Sequence, residues 1–309
     1  MRGEFRVIPP MQNTTATTTD ATHAHTPLTE ATVTVIIPFC ETYTPREMLD
    51  EAIESVEMQI AVDTEVLVVE DNDEQGPAWA RNTGLDRTET RYVAFLDADD
   101  TWFETKLRDQ LQEMHRTGAG LCVDGDVEYS PLEFIGALTT GDVFGLTSSI
   151  LIDTEQTDVR FDESLERRED HLFMIEAAAD AGVCFVPKTF NDGTHEDGLS
   201  NHVDSSPEQI QRFFWNVVDR VPEAAQFRRP YYQNAYVYVG RSRHFDKEYT
   251  RAINYFIESL RYGPNVDAVG ATGLSLLAIA REYSTLSAHR VLPSRIKSKV
   301  GMATNRDKS

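Results

Sequence analysis

Between residues 32 and 118 the chain alternates short, β-branched apolar runs with stretches whose apolar residues recur at helical spacing. That alternation restricts the fold more than any other feature. "TVTVIIPF" (32–39), "TEVLVVED" (64–71) and "RYVAFLD" (91–97) read as buried strands, the first closed by Pro38. Between the first two, "PREMLDEAIESVEMQI" repeats Met48, Leu49, Ala52, Ile53, Val56 and Ile60 at helical spacing. "GPAWARNTGLD" sets Pro77 in a first helical turn, with Gly84 as its expected end. "TWFETKLRDQLQEMHRTG" predicts a helix capped by Thr101 and stopped by Gly118. Strands alternating with helices build βαβ units, so the expected class is α/β with a mostly parallel sheet flanked by helices. Ligands of such sheets sit beyond the carboxyl ends of the strands. The rule gathers Pro38 to Glu41, Glu70 to Asp73 and Asp97 to Asp100 at one edge.

The pattern changes after residue 120. "GLCVDGDVEYS" and "FGLTSSILID" read as strands, "EDHLFMIEAAADAG" as a helix stopped by Gly182, and "VCFVP" as a further strand. From about residue 207 the chain reads as helices, the middle pair resembling a helical hairpin. The expected organisation is a Thr-rich, disordered arm (1–30), a catalytic unit (31–204) and a C-terminal helical region with a basic tail (205–309).

Charge narrows the function. The net charge is −22, which argues against non-specific binding of nucleic acid. Six Lys stand against 23 Arg, and surplus acid with scarce Lys resembles the bias of salt-loving archaea. Cys40, Cys122 and Cys184 have no metal-like spacing, so small buried thiols in a reducing cytosol are expected. No stretch approaches the roughly 18 apolar residues that span a bilayer. The last 24 residues hold six basic side chains and one acid, behind the apolar "GLSLLAIA". That polarity suggests contact with an anionic membrane surface from the cytoplasmic side, and an ordinary core helix with a basic tail fits it equally.

The chemistry concentrates at "DADD". Asp97 and Asp99, one residue apart, would project to one side of an extended segment. There they could share a divalent cation, Mn²⁺ or Mg²⁺, that bridges to a diphosphate. An acidic turn at a helix N-terminus is the plainer alternative.

"VTVIIPFCE", "EVLVVEDND", "GPAWARNTGL", "YVAFLDADDTW" and "RREDHLFMIE" occur in that order. Together they resemble a family 2 glycosyltransferase of the GT-A fold, over about residues 32 to 204. The resemblance extends to those that assemble glycans on haloarchaeal surface proteins. It implies an inverting enzyme that moves a sugar from a uridine-diphosphate donor, in some relatives a hexuronic acid, to a saccharide acceptor on a lipid phosphate. By the same resemblance, Pro38, Glu41, Asp71, Arg81 and Asp97 would surround the nucleotide sugar. Asp99 would bind the metal, with His195 of "GTHEDGLSN" as a further contact. Asp170 would be the general base, its pKa raised by the neighbouring Glu169. Arg167, Arg168 and Glu169 would meet the acceptor, the arginines by guanidinium forks. A nucleotidyltransferase is disfavoured because "PFCETYTPRE" has no Gly and only Arg46, and a dehydrogenase because no G-x-G-x-x-G follows the first strand. A non-catalytic nucleotide-sugar binder stays open.

Overall fold

The computed structural model describes residues 31–143, 146–165, 167–191 and 206–291, with side chains up to residue 281. The N-terminal arm, the segment carrying His195 and His202, and the tail beyond residue 291 lie outside the described residues.

Six strands form one sheet. They are β1 (Thr32–Phe39), β2 (Asp63–Glu70), β3 (Tyr92–Phe95), β5 (Leu121–Asp124), β6 (Leu151–Asp153) and β7 (Val183–Val186), in the spatial order β2-β1-β3-β6-β5-β7. Strand β6 alone runs against its neighbours β3 and β5, and the other pairings are parallel. A separate two-stranded ribbon pairs β4 (Thr101–Trp102) with β8 (Phe190–Asn191). The flanking helices are α1 (Arg46–Glu57), α2 (Pro77–Arg87), α3 (Lys106–Thr117), α4 (Pro131–Thr140) and α5 (Glu169–Ala181). Then come α6 (Pro207–Arg220), α7 (Arg228–Phe245), α8 (Tyr249–Leu260) and α9 (Val266–Val291).

Alternation along β1 feeds two cores. Val33, Val35 and Ile37 face α1 and α3 through Leu49, Val56, Leu107 and Leu111. Ile36 faces the other way, into a core shared with α2, α4 and α5. That second core continues without a break into α6 and α7, through Phe213, Phe214, Tyr231 and Tyr236. The first C-terminal helices therefore complete the sheet's second layer, while α7, α8 and α9 add a small cluster of Val237, Ala252, Phe256 and Ala268.

Pro38 lies two residues past Ile36, the last β1 residue paired with β3, so its missing N–H does not interrupt that ladder. Gly118 ends α3 in the left-handed region, at φ 75°, as its position predicts. Three expectations are corrected. Gly84 does not end α2, which runs on to Arg87. A Cβ at residue 84 would stand 2.5 Å from Cγ2 of the buried Ile36, so this glycine lets the helix lie close on β1. Thr101 caps no helix, because Thr101 and Trp102 pair with Asn191 and Phe190 and α3 begins at Lys106. Burial of the Trp102 indole decides this locally: Nε1 donates to the Ser148 carbonyl at 2.9 Å. "FGLTSSILID" is no continuous strand; it turns through a 3₁₀ segment, Thr147–Ser149, before β6. Helix α4 is not anticipated from periodicity because its residues are mostly apolar, although its ends are well marked. Ser130 and Glu133 form a capping box, Pro131 opens the helix and Gly141 closes it at φ 77°.

The close approach at residue 84 generates a test. Gly84→Val should lower stability by about 2 kcal/mol in urea unfolding, because overpacking and a β-branched residue in a helix both oppose folding there. An unchanged midpoint would mean that α2 stands off β1.

Candidate active site

The carboxyl ends of β1, β2 and β3 meet the start of α5 at one edge of the sheet, and a buried arginine joins them. Strand β3 stops at Phe95, and Asp97 to Asp100 form a turn in which the Asp100 amide donates to the Asp97 carbonyl at 3.0 Å. The extended geometry expected for these acids is therefore replaced by a turn. The outcome is similar, since Asp97 and Asp99 keep partial exposure while Ala98 and Asp100 are buried. Ser148 shapes the turn from the 3₁₀ segment. Its hydroxyl accepts from the Asp97 amide at 3.0 Å and donates to Asp100 Oδ2 at 2.5 Å.

Arg81 projects from α2 between the acids. Its side chain is 5% exposed, and it donates to Asp97 Oδ1 at 2.7 Å and to Glu169 Oε1 at 3.1 Å. The guanidinium lies 5.2 Å from the centre of the Phe161 ring, which stacks in turn on Phe173. Burial works against this charge, but Asp97 and then Glu169 outweigh it and hold the guanidinium protonated above its ordinary range. The neighbouring Asn82 fixes the following segment, accepting from the Phe161 amide and donating to its carbonyl, both at 2.9 Å.

Asp71, at the end of β2, is 5% exposed. Its two oxygens accept from the amides of Gln75 at 2.9 Å and Gly76 at 2.7 Å, closing a loop that ends at Gly76 with φ 102°. That positive φ requires the glycine, and Pro77 then starts α2 and aims Arg81 at the turn. Asp71 thus orders the loop whatever else it binds. Glu41 is exposed at the mouth, 4.0 Å from Arg46, which also pairs with Glu70 at 3.2 Å.

Helix α5 begins from Arg168, held in the left-handed region at φ 66°. Arg168 does not reach for an acceptor. Its guanidinium donates to the Leu138 carbonyl at 3.1 Å and lies 4.0 Å over the Phe213 ring, tying α5 to α4 and α6. Burial presses its pKa down. Glu169 is likewise engaged with Arg81, and Arg167 is partly buried beside them. The raised pKa expected for Asp170 falls on Glu169 instead. Burial, then the neighbouring Asp170, push Glu169 up against the pull of Arg81. Burial would raise Asp170 too, but the His171 ring and amide, with Arg81, hold it below the usual carboxylate range. The Asp170 carboxylate is thus an ionised acceptor of protons, the state a general base needs.

A divalent cation fits here in one way. Among the described residues no three His, Cys, Asp or Glu side chains gather closely enough to cage a metal ion. Mg²⁺ and its relatives, though, bind through one or two carboxylates completed by substrate phosphates. Asp99 at the rim of the turn suits that mode. His195 lies outside the described residues. Sequence reasoning also missed Lys106, wholly buried behind the turn, whose Nζ donates to Asp124 at 3.0 Å. Lysine is among the residue types least often buried, so nothing in the sequence marked it as interior. Ser148 had one signal, a Ser-Thr cluster inside an apolar run.

Removing the central cation should be costly. Arg81→Met leaves two carboxylates in partial burial without compensation, which we expect to cost about 3 kcal/mol near neutral pH. Glu169, already pushed up by burial and by Asp170, would lose the opposing pull of Arg81 and titrate higher still. The folded form would bind more protons than the unfolded one, so the deficit is smallest in acid and grows as pH rises. Urea unfolding at several pH values checks the sign; a deficit that shrinks toward high pH would contradict it.

The chain is similar to several known proteins. The chain is 32% identical over 159 residues to a Bacillus subtilis (strain 168) protein, TuaG, named for teichuronic acid biosynthesis and as a glycosyltransferase. The alignment covers 48% of this chain and 58% of that relative, so the chain spans little more than half the relative's length. Among solved structures, S. aureus TarS 1-349 in complex with UDP-GlcNAc superposes with a TM-score of 0.51 at 16% identity, over 82% of this chain and 92% of that one. The mannosyltransferase PcManGT from Pyrobaculum calidifontis, in complex with GDP-Man and Mn²⁺, gives 0.50 at 15% identity, over 83% of each chain. These likenesses establish a GT-A-like fold. Residues 72–136, from the Asp71 loop through Arg81 and the acid turn to α4, match the model of Glycosyl transferase family 2.

Proposed function

We propose that the chain is an inverting glycosyltransferase that moves a sugar from a UDP-sugar to a hydroxyl of a saccharide acceptor. One observation carries the reading. Arg81 ties the acid turn to the start of α5, so donor-side acids and an ionised Asp170 share one site. The acceptor's proton passes to Asp170 as its oxygen bonds to the anomeric carbon. The bond from that carbon to the diphosphate breaks, and its electron pair leaves with the nucleotide. Attack opposite the leaving group inverts the centre. A bound divalent cation, Mn²⁺ or Mg²⁺, would neutralise the leaving diphosphate, held by Asp99. His195 is a further candidate ligand, because Asn191, four residues before it, pairs with Thr101 beside the acid turn. Asp97 keeps one oxygen for the sugar or ribose while the other holds Arg81, and Pro38, Glu41 and Asp71 border the nucleotide. Arg167 is the remaining acceptor contact of the expected set.

A saccharide acceptor on a lipid phosphate is in keeping with the name of an Escherichia coli relative, 40% identical over 52 residues, a glucosyltransferase named for a GlcNAc-diphosphoundecaprenol, and a hexuronic acid donor rests on the sequence resemblance alone. Assembly of surface-protein glycans in a salt-loving cell fits the acid surplus. Contact with the cytoplasmic face of a membrane has support beyond the tail. In α9, Leu274, Leu276 and Leu277 are more than half exposed while Ser275 is buried against His244. Arg229 and Arg261 line a cleft of about 630 Å³ with Val266 and Val269 at the start of that helix. No described helix is long and apolar enough to cross a membrane. Surface contact is then the mode available to α9.

Two outcomes follow. Asp170→Asn should retain UDP binding and lose at least about 100-fold in UDP release from a UDP-sugar, the loss expected for a general base. Full activity in that variant would remove Asp170 from the mechanism, and no release from the intact chain with any UDP-sugar would favour a non-catalytic binder. Replacing Leu274, Leu276 and Leu277 together by Ser should weaken co-sedimentation with anionic vesicles severalfold; equal sedimentation would refute the surface contact.

A further inference from the structure

His171 follows the proposed base in the first turn of α5. Its ring is 11% exposed. Nδ1 lies 2.9 Å from Asp170 Oδ1, and the His171 amide donates to the same oxygen at 2.7 Å. Both bonds fall on one carboxylate oxygen. Among the described residues nothing bonds Oδ2, the oxygen that can meet a substrate hydroxyl.

This arrangement requires more than a helix start does. The first turn of α5 already presents amides to Asp170, and one of them suffices to favour a carboxylate there. An imidazole on the same oxygen adds a second donor and fixes the plane of the carboxylate. Other charges face this group as well. Arg81 approaches from α2, and Glu169 and Arg168 flank Asp170 on its own segment. Arg81 is held by Asp97 and Glu169, and Arg168 by α4 carbonyls, so neither bonds Asp170. Among the described residues His171 is the side chain hydrogen-bonded to the base.

We propose that His171 is a positioning residue for Asp170: as the Nδ1–H tautomer it anchors Oδ1 and leaves Oδ2 to receive the acceptor's proton. This rests on the glycosyltransferase reading for its purpose but not for its chemistry. The ring keeps its own proton throughout; the proton that moves goes from the acceptor hydroxyl to Oδ2. The same Nδ1–H bond resists protonation of the carboxylate between turnovers, since a bond to the charged form favours that form.

Asparagine can place an amide N–H where Nδ1 stands, whereas glutamine reaches toward the Nε2 position. His171→Asn should therefore keep most of the rate of UDP release from UDP-GlcNAc or UDP-glucose. His171→Ala and His171→Gln should lose roughly tenfold or more in kcat with little change in donor KM. Their acid limb should also move to higher pH, because Asp170 then protonates more readily. Equal losses in all three variants with an unmoved acid limb would reduce His171 to a packing residue and overturn the proposal. A second measurement needs no donor. Long-range ¹⁵N–¹H correlation of the full chain, with His171 identified from the His171→Asn spectrum, should show Nδ1 protonated, and Asp170→Asn should perturb that ring. An Nε2–H tautomer in the native chain would overturn the proposal by itself. If the tautomer is as predicted but Asp170→Asn keeps full activity, the base assignment fails and the contact stands.

Discussion

The site depends on one buried charge. Arg81 is the compensating cation for the acids that crowd the end of β3, and it is supplied by the protein. A guanidinium has the fork to hold two carboxylates at once, which an ammonium lacks. By bonding Asp97 on one side and Glu169 on the other, it makes the acid turn and the start of α5 one body. Desolvating such a group is expensive, and the pair returns that cost only with good geometry. The aromatic platform of Phe161 and Phe173 and the loop closed by Asp71 provide it.

The arrangement divides labour among six acids. Asp71 and Asp100 are buried and order backbone, the first through its own loop and the second through Ser148. Glu169 and one oxygen of Asp97 hold Arg81. Asp99, partly exposed on the turn, and Asp170, at the start of α5, are the carboxylates that the proposed chemistry uses. The two carboxyls at the start of α5 are driven apart, Glu169 upward and Asp170 downward. Separating the titration of neighbours in this way lets one site hold a structural acid beside a carboxylate that stays ionised.

Much of the sheet edge was legible in sequence because buried parallel strands leave long apolar runs and because turns between them need Gly and Pro. β1, β2 and β3 fall within a residue or two of the runs that predict them, α1 ends three residues before its run does, and Gly118 stops α3 as read. The departures share a cause. Gly84, Thr101 and Lys106 all carry local preferences that tertiary contacts override: the close approach of Ile36, the pairing with Phe190 and the buried carboxylate of Asp124. The roles of Arg168 and Glu169 were hidden for a similar reason. A charged residue at a helix start reads as exposed, and only the fold shows that aromatic rings and Arg81 surround it. Asp170 stood out in the "ED" pair, but the direction of its pKa depends on His171 and on which neighbour Arg81 takes.

The central claim is that the acid turn, ordered by Arg81, binds a nucleoside diphosphate through a cation at Asp99. Calorimetric titration of uridine diphosphate in molar potassium chloride, with and without Mn²⁺, tests it on the intact chain and on Asp99→Ala. The account predicts metal-dependent binding in the intact chain that is lost in the variant while the fold, by circular dichroism, is unchanged. Binding that is indifferent to Mn²⁺, or equal in the two proteins, would contradict it and leave the turn as a solvated acidic loop.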